Sequence, residues 1–445
     1  MHKQPEENKD PSKSFCIIPW IHMNTWPNGS VFQCCITDYR NVIGDLKQNT
    51  LEEVFNNDYM RQLRKDLLEG KFPESCVKCY EQENMGITSF RQNANRQFNE
   101  HIANVDSRTD QSGRVEDMKL HYWDFRFSNL CNMKCRMCGG HLSSLWNADE
   151  KAVYGKSSED APGGVVNTRD LSKENLYDLL ENHIDYVEEV YFAGGEPLIM
   201  DEHYYILERL IEKKRFDVRI RYNTNLLKLK FKKWDNIELW KHFEHVNVLA
   251  SLDAMDTRGE YIRKGTVWQT IDQNVDRVMK AVEDKHVLFS VSPTINLFNV
   301  KTTPKFVDYL FSKGLQMRNI HLNNVLTNPQ WYHVNLLLDS DKEEIKQKFD
   351  QHLATVPEDQ KDDLRSKYNS IIDYMVLDNE LTADGMKDMD KWRKDGIRAK
   401  FYEVTSLLDA HRQENFPEVF PELEDFYHEA KKQYGKKYPG PYVTK

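Results

Sequence analysis

Apolar positions in the middle of the chain alternate between strand-like and helix-like spacing. The pattern predicts six strands, at residues 120–128, 187–192, 218–223, 246–252, 287–295 and 319–326. Amphipathic helices are predicted between several of these strands, at residues 202–214, 267–283 and 304–313. Repeated β-then-α units form a parallel sheet with helices outside it, and six such units suit an open, partial barrel. The expected fold class is therefore α/β, with a partial (β/α)6 barrel over residues 119–335.

The N-terminal part of the chain has shorter elements. The expected elements are strands at residues 17–24 and 30–34 and a helix at residues 51–70. Thr50 precedes this helix and is a suitable N-cap. Residues 97–118 are polar and aperiodic, which predicts a linker. We therefore expect a small separate domain at residues 1–96.

The C-terminal part of the chain is helical and heavily charged. Helices are predicted at residues 343–353, 359–377, 384–412 and 422–434. Their mixed charges are typical of exposed helix faces. Residues 336–445 are therefore expected to form a charged helical extension that carries no chemical signal. A polar insertion at residues 147–173 contains Pro162-Gly163-Gly164, which predicts a loop.

Charge and hydropathy narrow the class of protein. The chain has 445 residues, with 61 Lys and Arg against 71 Asp and Glu, and a formal net charge of −10. Nucleic acid and anionic membrane are therefore not expected as main partners, because no basic surplus is present to neutralise phosphates. The first fifteen residues have no apolar core, and no apolar run is long enough to span a bilayer. We expect a soluble, cytoplasmic protein with no membrane partner.

All eight cysteines lie in the first third of the chain. They are Cys16, Cys34, Cys35, Cys76, Cys79, Cys131, Cys135 and Cys138. A disulfide scaffold is typical of smaller, secreted chains, so this even count does not indicate four bridges. Clustered cysteines at short spacings in an intracellular chain indicate thiolate ligands instead.

The segment NLCNMKCRMCGG places three cysteines as C-x3-C-x2-C directly after a predicted strand. Cys131, Cys135 and Cys138 can hold three irons of a [4Fe–4S] cluster and leave the fourth iron without a protein ligand. A small molecule with an amine and a carboxylate can chelate that open iron. The alternative is a zinc site, for which His141 would be the fourth ligand.

A second motif, Gly194-Gly195-Glu196-Pro197, follows the next predicted strand. Glycines at a strand end let backbone carbonyls approach a ligand closely, which suits an ammonium group in need of acceptors. A lone Gly-Gly pair is usually a turn. Beside the cysteine loop, the Gly194-Gly195 pair indicates a binding site, which favours the iron–sulfur cluster over zinc.

Together the two motifs resemble the radical S-adenosylmethionine (radical SAM) enzymes, whose hallmark is C-x3-C-x2-C after the first strand of a partial barrel and Gly-Gly-Glu after the second. The resemblance covers residues 119–335 and implies that the three cysteines ligate a [4Fe–4S] cluster. It also implies that S-adenosylmethionine chelates the open iron, with its amino group held by Gly194, Gly195 and Glu196. Met137 stands where the family commonly has an aromatic residue, and its sulfur can pack on an adenine face.

Three further residues match the family's cofactor-binding positions more loosely. Asn223 ends the third predicted strand, Ser251 ends the fourth, and Arg263 follows in YIRKG. A Ser hydroxyl and an Arg fork suit the ribose and the methionine carboxylate. The alternatives are a strand-end turn for Ser251 and a surface ion pair for Arg263.

The remaining cysteines form a second set with the spacing Cys16-x12-Gly29-x4-Cys34 and Cys76-x2-Cys79. In bare form this arrangement is also found in zinc ribbons and rubredoxins. The pattern resembles the auxiliary modules called twitch or SPASM domains, which implies an auxiliary [4Fe–4S] cluster. Such modules normally follow the radical SAM core, and here the module precedes it, as in an N-terminal twitch subgroup.

Cys35 is open to three interpretations. It could replace Cys34 as a ligand, be a free thiol close to the substrate, or be a small buried residue. The Gly-x4-Cys spacing favours Cys34 as the ligand.

The resemblance implies an enzyme that reductively cleaves S-adenosylmethionine to a 5′-deoxyadenosyl radical and abstracts hydrogen from a substrate. A peptide or protein is the expected substrate, and a flavodoxin or ferredoxin is the expected electron donor. The alternative substrates are a nucleoside, a sugar or a small metabolite. From other classes, a zinc-binding interaction protein and an electron-transfer iron–sulfur protein are also considered. No residue is singled out as catalytic apart from the cofactor sites.

Overall fold

The fold is known from a computed structural model, which describes residues 13–84, 86, 88–157, 164–283, 287–376 and 391–437. Its strands are β1 His22–Thr25, β2 Ser30–Phe32, β3 Gly44–Asp45, β4 Tyr122–Phe125, β5 Lys134–Cys135, β6 Glu189–Phe192, β7 Arg219–Thr224, β8 Lys230–Phe231, β9 Trp234–Asp235, β10 Val246–Ala250, β11 Arg263–Lys264 and β12 Val287–Val291. Its helices as far as residue 262 are α1 Ile18–Ile21, α2 Leu51–Phe55, α3 Asp58–Leu68, α4 Val77–Asn84, α5 Phe90–Gln97, α6 Asn99–Ile102, α7 Val105–Arg108, α8 Trp146–Tyr154, α9 Thr168–Leu171, α10 Leu176–His183, α11 Asp201–Glu212, α12 Asn236–Trp240 and α13 Asp256–Ile262. The later helices are α14 Trp268–Glu283, α15 Thr303–Ser312, α16 Asp339–Thr355, α17 Glu358–Val376, α18 Lys391–Arg412, α19 Phe416–Val419 and α20 Glu424–Gln433.

The chain divides into two compact units. The first comprises Met1–Asn129, Val166–Gly194 and Asp201–Arg221. The second comprises Leu130–Val165, Gly195–Met200 and Tyr222–Lys445.

The first unit contains a mixed sheet with the strand order β6-β4-β1-β2-β3. β1 pairs in parallel with β4, and β4 pairs in parallel with β6. β2 pairs antiparallel with both β1 and β3. β1 lies in the segment predicted as an N-terminal domain, whereas β4 and β6 lie in the predicted barrel. The two predicted segments therefore contribute strands to one sheet.

The two faces of this sheet differ in polarity, because side chains alternate between faces along a strand. On one face, Met23 pairs with Trp123 and Trp123 with Val190, and all three are buried and apolar. On the other face, Asn24 pairs with Asp124, and the two residues are 1% and 0% exposed. Buried polar side chains cost free energy unless they are paired, so the polar face is a candidate for function.

The predicted helix at residues 51–70 is two helices in the structure. Thr50 caps α2 as predicted, and Thr50 and Glu53 form a reciprocal capping box. α2 ends before Asn56, and the side chain of Asn57 accepts a hydrogen bond from the backbone N–H of Met60 as the N-cap of α3. The apolar spacing did not reveal this break, since Asn57 serves as a second cap within the periodic pattern.

The predicted linker at residues 97–118 also differs from expectation. It contains α6 and α7, and both begin and end within a segment that has no regular apolar period. Short helices of four residues leave too little periodicity for a sequence pattern to show.

The second unit contains β7 (in its residues 222–224), β10 and β12, in the sheet order β12-β10-β7. β10 and β12 are parallel, with Val248 opposite Phe289, and α14 lies in the chain between them. This β-then-α order is the parallel arrangement predicted for a partial barrel. A separate pair of short strands, β5 and β11, runs antiparallel and places Arg263 opposite Cys135.

The strand predicted at residues 319–326 is wrong. The structure has two isolated parallel bridges there, Val291 to Ile320 and Ile295 to Val325, instead of a strand. Asn323 and Asn324 interrupt the apolar pattern between these bridges, and Asn is unfavourable in strands.

The C-terminal helices are less solvated than their charges predict. Arg136, in the second unit, is 1% exposed; its guanidinium contacts Asp409 of α18 and donates to Glu414 at 2.7 Å. The side chains of Arg412 and Asp149 are both 0% exposed and pair at 2.9 Å. The expectation of a fully exposed charged face is therefore wrong for this part of α18.

Three predicted segments lie partly outside the described residues. These parts are residues 158–163 of the polar insertion, residue 377 of the helix predicted at 359–377, and residues 384–390 of the helix predicted at 384–412. None of the described helices has both the length and the apolar character needed to cross a bilayer.

Replacing Asp409 with Asn should lower the free energy of unfolding by about 3 kcal/mol, because the buried guanidinium of Arg136 loses a charged partner. Asp409 also accepts from the Tyr261 hydroxyl at 2.8 Å and from the Phe416 backbone N–H at 2.8 Å. The measurement is the unfolding midpoint in urea, followed by circular dichroism.

The matched control is Asp350→Asn on α16, where the side chain is exposed. It should change the free energy of unfolding by less than about 0.5 kcal/mol. Equal midpoints for the two variants would contradict a stabilising role for the buried pair.

Candidate functional site

Cys131, Cys135 and Cys138 lie half-buried in one loop of the second unit. Burial raises the pKa of all three thiols, to about 12 for Cys138. For Cys131, the neighbouring Cys135 and Cys138 raise the pKa further, as expected for thiols that lie close together. Thiolates in this position need positive charge beside them, and bound metal supplies it.

The cysteine loop is held in shape by hydrogen bonds from the rest of the second unit. The Ser143 hydroxyl donates to the Met133 carbonyl at 2.6 Å, and the Trp146 indole donates to the Cys135 carbonyl at 2.8 Å. Gly265 has a φ of +106°, and a Cβ there would lie 2.6 Å from the Asn132 carbonyl oxygen. Gly265 therefore allows β11 to approach the loop more closely than any other residue would.

Arg263 supplies a cation directly beside the loop. Its Nη1 lies 3.6 Å from Cys135 Sγ, and this charge opposes the effect of burial on the pKa of Cys135. Asp253 holds the guanidinium in place by accepting from Nε at 2.7 Å and from Nη2 at 3.0 Å. The surface ion pair considered for Arg263 is excluded, because the side chain of Asp253 is 0% exposed.

Sequence reasoning missed Asp253. It lies two residues after Ser251 in the segment LASLDA, at the end of β10. A carboxylate at the end of a buried strand was a usable signal, because charged groups are almost never buried there without a partner. Its bidentate pairing with Arg263 makes it part of the site.

Glu196 connects two loops of the second unit. Its backbone N–H donates to the Leu130 carbonyl at 2.8 Å, next to Cys131. Its carboxylate accepts from the Thr224 hydroxyl at 2.7 Å and from the Asn225 backbone N–H at 2.8 Å. Burial raises the pKa of Glu196 to about 7, although these hydrogen bonds oppose the rise. The side chain thus joins the Gly-Gly-Glu loop to the end of β7.

Asn132 leaves a buried donor without a partner inside the cysteine loop. Its Oδ1 accepts from Asn225 Nδ2 at 2.7 Å, whereas its own Nδ2 is buried and has no hydrogen-bond partner. An unpaired buried donor costs free energy that a ligand with acceptor atoms would recover. Cluster sulfides and a carboxylate are such acceptors, so the loop fits both cofactors implied by the sequence.

Four other predicted cofactor residues are distributed over the two units. In the first unit, Gly194 has a φ of +119°, and a Cβ would lie 3.1 Å from Arg126 Cβ, so this position favours glycine. Met137, Asn223 and Ser251 are half-buried in the second unit. The backbone N–H of Ser251 donates to the Thr224 carbonyl at 2.8 Å, which places Ser251 beside the end of β7.

The second cysteine set lies in the first unit. Burial raises the pKa of Cys16 and Cys34, and the nearby Cys76 raises both further. Cys79 also raises the pKa of Cys16, so the four predicted ligands lie near one another in the structure. Gln33 Nε2 lies 3.4 Å from Cys76 Sγ and provides a hydrogen-bond donor to this sulfur.

Helix α5 positions the first of these cysteines. Asn95 accepts from the Ile17 backbone N–H and donates to the Phe15 carbonyl, both at 2.9 Å. Arg91 donates to the same carbonyl at 2.6 Å. Cys16 lies between Phe15 and Ile17, so two side chains of α5 fix its backbone on both sides.

Cys35 has different neighbours from Cys34. Burial raises the pKa of Cys35 to about 12, and Asp124 on β4 is the charged group that contributes most to the rise. Arg126 opposes it. For Cys34, the neighbouring Cys35 contributes most to the rise in pKa after burial, followed by Cys76 and Cys16. The structure therefore places Cys35 beside both Cys34 and the polar face of the sheet.

Replacing Asp253 with Asn should raise the midpoint potential of a cluster held by the first cysteine set. The charge of Arg263 would then be uncompensated, and it favours the reduced cluster, which carries one more negative charge. The expected shift is on the order of 50–100 mV, measured by a redox titration followed by electron paramagnetic resonance.

The matched control is Asp256→Asn, since Asp256 is exposed and three residues away in sequence. Its potential should equal that of the wild type. A potential that is unchanged in Asp253→Asn would refute the electrostatic role given to the Arg263–Asp253 pair.

Comparison with known proteins identifies two domains. The model of the radical SAM superfamily matches residues 125–307, and the model of the SPASM iron–sulfur cluster-binding domain matches residues 16–80. No curated protein sequence matches the chain.

Similar solved structures include three of Streptococcus suis SuiB. The complex with S-adenosylmethionine is 10% identical, with coverage of 77% of this chain and 69% of that chain and a TM-score of 0.32. SuiB alone is 12% identical, with the same coverages and TM-score. The complex with the precursor peptide SuiA is 11% identical, covers 67% and 61%, and has a TM-score of 0.29.

The two domain matches lie on the two cysteine sets and agree with the resemblance drawn from the sequence. The cofactors that these domains imply are a [4Fe–4S] cluster with S-adenosylmethionine and an auxiliary iron–sulfur cluster. The chain thus contains a radical SAM domain, which indicates an enzyme, and a SPASM iron–sulfur cluster-binding domain N-terminal to it.

Proposed function

We propose that this enzyme abstracts a hydrogen atom from a peptide or protein substrate. The observation that carries the radical chemistry is the second unit's arrangement of three cysteines beside Arg263, with Glu196 joining the adjacent loops. When bound, the reduced cluster supplies the electron that cleaves S-adenosylmethionine to methionine and a 5′-deoxyadenosyl radical.

Each residue of this arrangement has a proposed role. Cys131, Cys135 and Cys138 hold the cluster. Arg263 Nη1 carries two N–H groups, so one can face Cys135 and the other can meet the methionine carboxylate. Gly194, Gly195 and Glu196 hold the amino group of S-adenosylmethionine through their backbone, because the Glu196 carboxylate is already engaged with Thr224 and Asn225. Met137, Asn223 and Ser251 bind the adenosine part.

For the auxiliary site, we propose that Cys16, Cys34, Cys76 and Cys79 ligate a [4Fe–4S] cluster. Four protein thiolates would complete its coordination, so its role would be electron transfer or stabilisation. Cys35 is left out of this set because its charged neighbours are Asp124 and Arg126. The domain division proposed with these roles is 1–96 for the auxiliary domain, 119–335 for the core and 336–445 for the extension. Residues 97–118, predicted as a linker, contain α6 and α7 and connect the first two.

Three buried hydrogen-bond acceptors in the first unit support a substrate rich in N–H donors. Asn24 Oδ1, Asp124 Oδ2 and His22 Nε2 are buried and have no hydrogen-bond partner. His22 Nδ1 contacts the Tyr122 carbonyl at 3.0 Å, so Nδ1 is the donor and Nε2 is an acceptor in the neutral ring, and burial lowers the pKa of His22. Three unpaired acceptors suit a ligand that donates hydrogen bonds, as peptide amides and amines do.

The substrate class also follows from the auxiliary module. Radical SAM enzymes with such modules often modify peptides or proteins, and this tendency favours a peptide over a nucleoside, sugar or small metabolite. We further propose that the enzyme works in the cytoplasm, where thiols stay reduced, and that a flavodoxin or ferredoxin reduces it.

Anaerobically reconstituted protein should contain about eight irons per chain and form 5′-deoxyadenosine with dithionite. Cys131→Ala should abolish this product and retain about four irons, because the auxiliary cluster remains. Iron content and the product are measured together on each preparation.

Cys35→Ala is the matched control, and it should keep about eight irons because Cys35 is not a proposed ligand. About two zinc ions, no iron and no 5′-deoxyadenosine in the wild type would instead support a zinc-binding interaction protein.

The substrate proposal is tested with Asp124→Asn, which replaces an unpaired acceptor by a donor. Extract from the cells that produce the enzyme is separated by size into a peptide and protein fraction and a small-molecule fraction. The first fraction should raise 5′-deoxyadenosine formation several-fold above the substrate-free rate. Asp124→Asn should lose this stimulation and keep the substrate-free rate.

Asp117→Asn, at an exposed surface position, should respond like the wild type. If only the small-molecule fraction stimulates the enzyme, the substrate is a metabolite and not a peptide. If Asp124→Asn is stimulated as strongly as the wild type, the polar face of the sheet does not bind the substrate.

A further inference from the structure

Two histidines and a glutamate converge in the first unit, and none of them is a proposed ligand of either cluster. His101 lies on α6, His121 directly precedes β4, and Glu188 directly precedes β6. His101 Nε2 lies 2.5 Å and His121 Nδ1 lies 3.0 Å from the same oxygen, Glu188 Oε1. Three side chains that are distant in sequence thus place one nitrogen or oxygen atom each around a single point.

These distances are close to those of a metal site. The three ligand atoms lie within 4.8 Å of one another. Around a tetrahedral zinc they would lie ~3.3 Å apart. The contacts of 2.5 and 3.0 Å need to open by less than 1 Å to admit an ion.

The donor set matches a known class of cation. Two imidazole nitrogens and one carboxylate oxygen bind zinc in many proteins, and water takes the fourth position. The side chain of Glu188 is 35% exposed, so an ion can reach its carboxylate from solvent.

Neighbouring groups hold the three side chains in place. The His121 carbonyl accepts hydrogen bonds from the backbone N–H groups of Glu188 at 2.8 Å and Glu189 at 3.1 Å. These bonds fix the backbone of His121 next to that of Glu188. The two imidazole rings are 3.9 Å apart between centroids. Arg219 Nη2 lies 4.0 Å from Glu188 Oε2, which leaves Oε1 to face the histidines. Neighbouring groups that orient the ligands in this way are typical of metal sites.

A hydrogen-bonded cluster without metal is the competing interpretation. In that case each histidine N–H donates a hydrogen bond to Glu188, and the cluster holds α6 to the sheet by hydrogen bonds alone. The two interpretations differ in what a glutamine at position 101 would do, because its amide donates a hydrogen bond and binds zinc poorly.

We propose that His101, His121 and Glu188 bind one divalent cation of the zinc class. The ion joins α6 to the start of β4 and β6, and it is separate from the iron of both clusters. This site does not depend on the proposed substrate or on the radical reaction.

The test uses the full chain with its iron–sulfur clusters loaded, so that the cysteines are occupied. One equivalent of zinc is added under anaerobic conditions, unbound metal is removed, and zinc and iron are measured. About one zinc per chain should remain, with iron unchanged. The zinc X-ray absorption spectrum should show nitrogen and oxygen neighbours at about 2.0–2.1 Å and no sulfur at about 2.3 Å.

Zinc affinity is then measured by competition with a chelator in the wild type and two variants. His101→Gln should weaken binding by about 100-fold or more, since loss of an outer-shell partner alone costs about 10–100-fold. His428→Gln, at an exposed histidine on α20, should bind like the wild type. Without zinc, wild type and His101→Gln should have similar melting temperatures; zinc should raise that of the wild type.

Three results would overturn the proposal. They are no retained zinc in the wild type, a sulfur shell in the zinc spectrum, and equal zinc affinity in His101→Gln and the wild type. The first would leave the hydrogen-bonded cluster, and the second would place the zinc on cysteines.

Discussion

Burial of thiols is the constraint on which the site depends. Cys131, Cys135 and Cys138 are the proposed cluster ligands and would act in their charged form, whereas burial raises the pKa of each. The chain offsets this cost with Arg263, and it buries Asp253 to hold that cation in place. The irons of a bound cluster would supply the remaining positive charge.

A second layer of buried charge supports the same loop. Arg136, between the second and third cysteines, is paired with Asp409 and Glu414 in the C-terminal part of the chain. Arg412 donates to the Lys134 carbonyl at 2.9 Å and pairs with Asp149. Removal of one partner from a buried ion pair strongly destabilises a protein, because the other charge stays buried and unpaired. The helical extension is thus part of the structure that holds the cysteine loop, although its sequence looks like a solvated surface.

Several features could be predicted because they depend on neighbours in sequence. The cysteine spacings describe short loops, and the alternation of strands with helices produces the parallel arrangement of β10 and β12. The helix break at Asn57 was missed, since an N-cap within a periodic pattern changes no apolar position. Asp253 was missed although the segment LASLDA contains it, because its importance comes from Arg263, ten residues further along.

The sequence by itself determined the spacing of the two cysteine sets and the order of the two matched domains, because both follow from residue types at short range. The tertiary structure decided which charges are buried, which face of the first unit's sheet is polar, and which distant residues meet. His101, His121 and Glu188 illustrate the reason: they are up to 87 residues apart, and strand pairing in the folded chain brings them together. Contacts of this kind depend on the free energy of packing the whole unit, and local patterns do not contain that information.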